Sequence, residues 1–113
     1  MTEDRSQFIK FLRIIADQTR LDILDLLRDK KKTSLEIQKK LNKSQSTISQ
    51  HLKALSNKNL IIFDKINNVK SYEIKNQNIF KLLVEIDTFV ANINKEKLKD
   101  LRDLDLDVID TLS

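Results

Sequence analysis

Polar, uncharged side chains follow Ser44 in the middle of this 113-residue chain, and they are of types that bind nucleic acids. Glutamine can pair with adenine through two hydrogen bonds, and serine or threonine can bond to bases or to phosphates. Apolar residues occur among them at helical spacing, which predicts one buried stripe and one polar face. The buried stripe consists of Ile48, Leu52 and Leu55. The polar face and first turn consist of Gln45, Ser46, Thr47, Ser49, Gln50 and Lys53. Hydrogen bonding to a duplex, rather than catalysis, is the chemistry that this pattern favours.

Two short helices must position that polar face. The segment Thr33–Glu36 has the form of a capping box, in which a hydroxyl and a carboxylate bond to each other's backbone amides. It predicts a helix that ends at Leu41, followed by a turn at Asn42-Lys43. Ser44 would cap the next helix. Two helices joined by such a turn predict a helix-turn-helix, whose second helix enters the major groove of DNA.

The periodicity changes from helical to extended directly behind this pair. Residues 60–63 and 69–75 are short segments rich in β-branched and aromatic residues, which favours two strands. Ile66-Asn67-Asn68 lies between them, and asparagine tolerates the left-handed backbone that a tight hairpin needs. The hairpin predicts a wing, and Lys65 and Lys70 are its expected phosphate contacts.

Amphipathic helices are expected on both sides of this region. Residues 5–16 form the first, and Asp17 can cap a second. A long helix is expected from Gln77, with a break at residues 94–97 before a last helix built on Leu98, Leu101, Leu104, Val108 and Leu112. The expected fold is therefore mainly α with a small β-hairpin wing: four helices, the hairpin and two further helices. Residues 1–94 would form the DNA-binding and dimerisation domain, and residues 95–113 an amphipathic helical extension.

Cysteine and glycine are absent from the sequence, and there is one histidine. Without cysteine there are no disulfides, thiolate metal sites or cysteine nucleophiles. Without glycine there is no phosphate-binding loop of the kind that nucleotide-dependent enzymes use. We therefore expect no enzyme, no catalytic residue, no cofactor and no metal site.

Positive charge is concentrated in the middle of the chain. Residues 30–75 carry 11 lysines and 3 acidic residues, whereas the segments on either side are both net negative. A basic segment attracts nucleic acids because phosphate neutralisation releases counterions. Lys30–Lys32 would be either solvated charge or a phosphate contact. No secretory signal or membrane span is visible, so the expected location is the cytoplasm, at the nucleoid.

Two segments resemble a known family. Asp17–Leu27, DQTRLDILDLL, resembles the D-x-T-R-L-x-I-L-x-L-L signature of ArsR-type bacterial and archaeal repressors. Ser44–Leu55, SQSTISQHLKAL, is close to the recognition-helix pattern of the same family. With the wing, the resemblance extends over residues 12–75.

The resemblance implies a homodimer, joined through the first and last helices, that binds an inverted-repeat operator in double-stranded DNA and is switched by an effector. The family's thiolate positions match Thr33, Ser34 and Leu35, so its metal site does not carry over. The effector is then an unidentified small molecule or protein, or abundance alone regulates binding. Expected dimer contacts are Phe8, Phe11, Leu12, Ile15, Ile79, Leu82, Ile86, Phe89 and Ile93. Expected DNA contacts are the polar face and first turn above together with Thr33, Ser34, Lys43, Ser44, Lys65, Asn67, Asn68 and Lys70.

Three residues have structural interpretations beside functional ones. His51 lies next to Leu52, so we expect a packed, hydrogen-bonded histidine rather than a metal or DNA ligand. Arg20 would brace the scaffold by pairing with a carboxylate, or it would contact a phosphate. Tyr72 fits wing packing and a DNA contact equally well.

Two other function classes fit the same features. An architectural protein that coats DNA with little sequence preference would use the same basic segment, and it differs by its ratio of specific to random affinity. A winged-helix adaptor that binds another protein would instead depend on the C-terminal helix. Our interpretation is a sequence-specific regulator, most simply a repressor.

Overall fold

The computed structural model describes the backbone of residues 5–112 and the side chains of residues 5–104. The chain divides into two compact units, residues 1–77 and residues 78–113. The first unit contains α1 (Arg5–Ile15), α2 (Gln18–Leu27), β1 (Lys32–Thr33), α3 (Ser34–Leu41), α4 (Gln45–Asn57), β2 (Ile61–Ile66) and β3 (Val69–Ile74). The second unit is the helix α5 (Asn78–Leu112).

Local capping sets the start of each helix in the helix-turn-helix. The Thr33 hydroxyl accepts from the backbone N–H of Glu36 at 3.2 Å, and the Glu36 carboxylate accepts from the backbone N–H of Thr33 at 3.1 Å. Ser44 accepts from the backbone N–H of Thr47 at 3.2 Å and so begins α4. These bonds satisfy amides that a helix cannot satisfy internally, and each cap stabilises its helix by about 1 kcal/mol. The predicted caps are confirmed.

The core of the first unit combines one apolar stripe from each helix with the base of the hairpin. Its most deeply buried side chains are Ile23, Leu24, Leu27, Ile37, Ile48, Leu52, Leu55 and Ile61. The stripe predicted for α4 is thus confirmed. Two apolar residues of the helices lie outside this core: Leu21 is 37% exposed and Leu35 is 57% exposed. Leu35 is the second residue of α3, and its neighbour Ile37 occupies the buried position.

The hairpin has the predicted tight turn. β2 and β3 are antiparallel, with Lys65 opposite Lys70 and Ile66 opposite Val69, so Asn67 and Asn68 alone form the turn. Both asparagines have positive φ, 54° and 63°, which is the turn geometry that matches strand twist. β1 is a third strand that the sequence did not predict, and it pairs with β3 to give the order β1-β3-β2. Two residues are too few to show strand periodicity.

The second unit corrects the predicted break at residues 94–97. α5 is one helix of 35 residues that continues through this segment. The segment 94–97 contains no glycine or proline. Three of its residues are lysine or glutamate, which are strong helix formers, so nothing in the segment interrupts the helix. The apolar register shifts there, but a register shift does not require a break. The side chains of Val108 and Leu112 lie outside the described residues, and the dimerisation and extension roles given to residues 1–94 and 95–113 remain predictions.

Candidate nucleic-acid interface

The polar face of α4 is exposed, opposite the buried stripe that anchors the helix. Its exposed members are Gln45, Ser46, Ser49, Gln50 and Lys53. Thr47 is half-buried, and its hydroxyl accepts from the Ser44 hydroxyl at 2.9 Å. The helix therefore presents short hydrogen-bonding side chains at its first turn and a lysine two turns further along.

The wing, residues 61–74, separates its charges onto two sides. Strand alternation and register put Phe63, Lys65, Lys70 and Tyr72 on the side that carries the buried residues Ile61 and Ile74. This is the side that faces α4, because Phe63, Lys70 and Tyr72 line one groove together with Ser49 and Lys53 of α4.

The acidic residues of the wing, Asp64 and Glu73, alternate onto the opposite side. There the Asp64 carboxylate pairs with the Lys31 ammonium at 3.2 Å. That hydrogen bond, with the charges of Asp64 and Glu73, raises the pKa of Lys31. The positive charge of Lys31 is thus compensated on the acidic side, whereas Lys65 and Lys70 lie on the α4 side.

A groove lies between the start of α3, the start of α4 and the wing, with a volume of about 510 Å³. Most of its lining residues were predicted DNA contacts, namely Thr33, Ser34, Gln45, Ser49, Lys65, Asn68 and Lys70. The others are Leu35, Val69 and Tyr72. Folding therefore brings predicted contacts from three separate segments to one surface.

Lys70 and Ser49 also line a second groove, between the middle of α4 and the strands of the wing. The Lys70 ammonium lies 4.4 Å from the centroid of the Phe63 ring, which positions it by a cation–π contact. Phe63 packs in turn on Tyr72, with ring centroids 5.6 Å apart. Tyr72 is 8% exposed, and its burial raises the pKa of its phenol. Of the two interpretations of Tyr72, packing within the wing is the one that this burial supports.

Several predicted contact residues are already used in helix capping. Thr33 belongs to the capping box of α3, and the Ser34 hydroxyl accepts from the Gln38 amide at 3.0 Å. Ser44 is the N-cap of α4. The side chains of Lys43, Asn67 and Asn68 are exposed and do not take part in these caps. The caps hold these hydroxyls at helix N-termini, where partial positive charge accumulates.

Asp17, Arg20 and His51 form a hydrogen-bonded cluster behind α4. The Arg20 guanidinium donates from Nε to Nδ1 of His51 at 3.1 Å. From Nη1 it donates to the carbonyls of Ile14 at 3.2 Å and Arg13 at 3.4 Å, at the end of α1. His51 is therefore a hydrogen-bonded structural residue, as predicted. We expected Arg20 to pair with a carboxylate, but its guanidinium donates to an imidazole and two carbonyls instead. The Asp17 side chain accepts from the backbone N–H of Arg20.

The expected dimer contacts differ in exposure. Ile15 and Ile79 are each 6% exposed, so they have little surface left for a second chain. Phe11 and Ile93 are half-buried. The exposed members are Phe8, Leu12, Leu82, Ile86 and Phe89.

No metal-binding group of three or more histidine, cysteine or acidic side chains occurs among the described residues. In the same part of the chain, no helix is both long and apolar enough to cross a bilayer.

The model of the bacterial regulatory protein arsR family matches residues 17–62, from the N-cap of α2 into β2. Residues 17–62 are therefore similar to the arsR family. The resemblance seen in the two motifs is thus confirmed, and with it the winged helix-turn-helix class. The matched family is one of bacterial regulatory proteins, and the similar HlyU of Vibrio vulnificus is described as a transcriptional regulator.

Solved structures share this fold. M. tuberculosis Rv0081 has a TM-score of 0.77 and 20% identity, over 87% of this chain and 99% of its own. A transcriptional regulator HlyU from Vibrio vulnificus CMCP6 has a TM-score of 0.61 and 29% identity, over 73% of this chain and 88% of its own. The homodimeric winged helix-turn-helix DNA-binding domain Mb0332 from Mycobacterium bovis has a TM-score of 0.68 and 18% identity, over 85% of this chain and 93% of its own. None of the curated proteins gives a significant match.

Sequence reasoning missed the apolar part of the groove. Phe63 and Val69 were assigned only to strands, and Leu35 was not an expected contact, yet all three are exposed beside the predicted contacts. The place of Phe63 beside Lys70 could have been predicted. A two-residue turn at Asn67-Asn68 fixes the register of the hairpin, and this register puts Phe63 diagonal to Lys70. The sequence contains no comparable signal for Leu35.

Proposed function

We propose that this protein is a homodimeric repressor that binds an inverted-repeat operator in double-stranded DNA. The exposed polar face of α4 enters the major groove, where Gln45 and Ser49 contact base edges. Lys65 and Lys70 of the wing contact the phosphate backbone beside it. The observation that carries the proposal is the charge separation of the wing, because both lysines lie on the α4 side and both acids lie on the other side.

The Lys65–Lys70 pair supports a phosphate ligand independently. The two residues are directly opposite each other across the hairpin, and like charges in that arrangement destabilise a sheet by a few tenths of a kcal/mol, roughly. An anion between or beside them removes that repulsion. Two facing lysines lower the stability of the hairpin by itself but suit the binding of an anion. Both of them line the same groove as Gln45.

A dimer places two copies of α4 on one duplex. Two recognition helices related by a twofold axis meet half-sites about one helical turn, roughly 34 Å, apart. Exposed apolar side chains support self-association: Phe8 is 47% exposed, Leu82 39% and Phe89 66%. The similar Mycobacterium bovis domain is itself described as homodimeric. Binding over a promoter would exclude polymerase, which makes repression the simplest outcome, and a protein with this function works in the cytoplasm at the nucleoid.

Selection of bound sequences from a random duplex pool at near-physiological salt tests the proposal. We expect an enriched inverted repeat with half-sites one turn apart. Retention of DNA without any enriched motif would overturn sequence specificity and indicate an architectural protein. Failure to retain DNA, with the purified chain folded and dimeric, would overturn the DNA-binding proposal and favour a protein partner.

A further inference from the structure

The tip of the wing, residues 66–69, carries two apolar side chains that are exposed to solvent. Ile66 and Val69 are opposite each other in the last pair of the hairpin before the turn at Asn67-Asn68. Ile66 is 64% exposed, which makes it the most exposed isoleucine among the described side chains, and Val69 is 52% exposed. Two large apolar side chains at such a position gain free energy from contact with another apolar surface, because burial of apolar area is favourable.

The tip is continuous with the surface that is proposed to bind DNA. Val69 and Asn68 line the same groove as Gln45 at the start of α4. The lysine pair of the wing, Lys65 and Lys70, precedes the tip by one position in each strand. With α4 in the major groove and the lysine pair on the adjacent phosphates, the tip is directed at the minor groove, which begins on the far side of those phosphates.

The dimensions of the hairpin match the depth of the minor groove but exceed its width. Successive residues of a strand are about 3.4 Å apart, so the turn extends roughly 7 Å beyond the lysine pair. The minor groove of B-DNA is about 7.5 Å deep and about 6 Å wide. The backbones of paired strands are already about 4.8 Å apart, and their side chains add to this width. A wing that reaches the floor of the groove must therefore widen it.

The chemistry of the tip suits a wedge rather than an electrostatic contact. Isoleucine is among the side chains that insert between base steps from the minor groove, where they unstack the bases in part and bend the duplex towards the major groove. Residues 66–69 carry no charge, so the tip cannot use the negative potential of a narrow minor groove, which attracts cationic side chains. The amides of Asn67 and Asn68 can donate to the acceptors that A·T pairs present at the floor of the groove.

We propose that the wing tip is a wedge that bends DNA, in which Ile66 and Val69 pack against a partly unstacked base step in the minor groove beside each half-site. The inference rests on the proposed function and adds DNA bending to it. The lysine pair holds the backbone at the rim of the groove, and the two asparagines of the turn favour A·T pairs at its floor. Pyrimidine–purine steps are the most easily kinked, so a T-A step in an A·T-rich flank is the preferred site.

Energy transfer between dyes at the two ends of an operator duplex measures the bend at saturating protein. We expect the natural protein to bend the duplex by about 20° or more at each wing, which raises the transfer efficiency. The double variant Ile66→Thr, Val69→Thr keeps β-branched side chains of high strand propensity but replaces apolar atoms by a hydroxyl group. It should still bind the operator but lose most of the bend.

Ile62→Thr is the matched control for the double variant. Ile62 is 40% exposed and lies on the same side of the wing as Ile66, but four residues before it and away from the tip. This variant should bend the duplex as the natural protein does. Equal thermal unfolding temperatures of the three proteins show that the hairpin is folded in each of them.

A second probe reports on the base step itself. The adenine analogue 2-aminopurine, whose fluorescence rises when it is unstacked, replaces the adenine of a T-A step beside the half-site. Its fluorescence should rise when the natural protein or Ile62→Thr binds, and much less when the double variant binds. Equal increases with all three proteins would assign the unstacking to a part of the protein other than the tip and overturn the inference.

The same measurements on operator and random duplex separate this inference from the proposed function. A straight operator in the natural complex, or an equal bend with the double variant, would overturn the wedge and leave the proposed regulator intact. Bending of random duplex without any preference for an operator would support the wedge and overturn sequence-specific regulation. Absence of binding to either duplex would overturn both.

Discussion

Replacing Lys70 by glutamine tests whether the α4 side of the wing contacts phosphates. The change removes one charge per protomer at a residue that lines both grooves beside α4. Each neutralised phosphate contributes about 0.9 to the slope of log affinity against log salt concentration. A dimer contains two copies of Lys70, so we expect the slope to become less steep by roughly 1.8. Affinity should fall for operator and random duplex alike, since a phosphate contact carries no sequence information.

Lys31→Gln is the matched control, because it removes the same charge from the other side of the wing. Lys31 is paired with Asp64 at 3.2 Å, so we expect its replacement to leave the salt slope nearly unchanged. The assay is fluorescence anisotropy titration of labelled duplex at four or more salt concentrations. Equal slope changes in the two variants would refute the reasoning, because binding would then depend on total charge and not on the side of the wing. Thermal unfolding of both variants checks that the loss of the Lys70–Phe63 contact has not unfolded the wing.

Four further predictions follow from the same structure. Gln45→Ala should lose about 1–3 kcal/mol of discrimination per half-site while keeping its affinity for random duplex, as measured by competition between operator and random DNA; unchanged discrimination would exclude Gln45 as a base contact. Leu55→Ala should lower the free energy of unfolding by about 2–5 kcal/mol in urea titrations, whereas Leu35→Ala, at an exposed site, should cost well under about 1 kcal/mol; similar costs at the two sites would contradict the assigned core. The lowered pKa of Asp17 means that its stabilisation is present above the ordinary value of 3.8 and is lost as pH falls through the lower folded-state value. Asp17→Asn, which keeps an N-cap acceptor but not the charge, should therefore lower stability at neutral pH more than in acid, and so flatten the acid limb of stability against pH; an unaltered acid limb would contradict the linkage. Phe89→Asp should shift the sedimentation coefficient from dimer to monomer with helical content retained, and a persistent dimer would remove Phe89 from the interface.

The features that could be predicted from sequence are those set by local interactions. The caps at Thr33 and Ser44 depend on side chains within three residues of the amides that they satisfy, so the sequence contains the whole motif. The left-handed turn was also predictable from local sequence, because asparagine tolerates positive φ. In this glycine-free chain, all described residues with positive φ are asparagines, at Asn42, Asn59 and the hairpin turn. The helix-turn-helix and the wing follow from these signals and from apolar periodicity.

The features that sequence reasoning missed depend on contacts between distant segments. β1 exists because Lys32 and Thr33 pair with β3 about 40 residues later, and a two-residue strand has no period of its own. Arg20 finds its partners 6, 7 and 31 residues away, so its preference for carbonyls and an imidazole over a carboxylate could not be deduced. The predicted break in α5 had a different cause: a shift in apolar register was interpreted as an interruption of the backbone.

In the proposed complex, two copies of α4 bind one duplex on the same face, and a change in half-site spacing is a decisive test of this arrangement. We would measure affinity for the selected inverted repeat and for the same repeat with five base pairs inserted at its centre, about half a helical turn. We expect the insertion to lower affinity to nearly that of random duplex, because the second half-site then faces away from its recognition helix. Equal affinity for the two duplexes would contradict a dimer that binds through paired recognition helices.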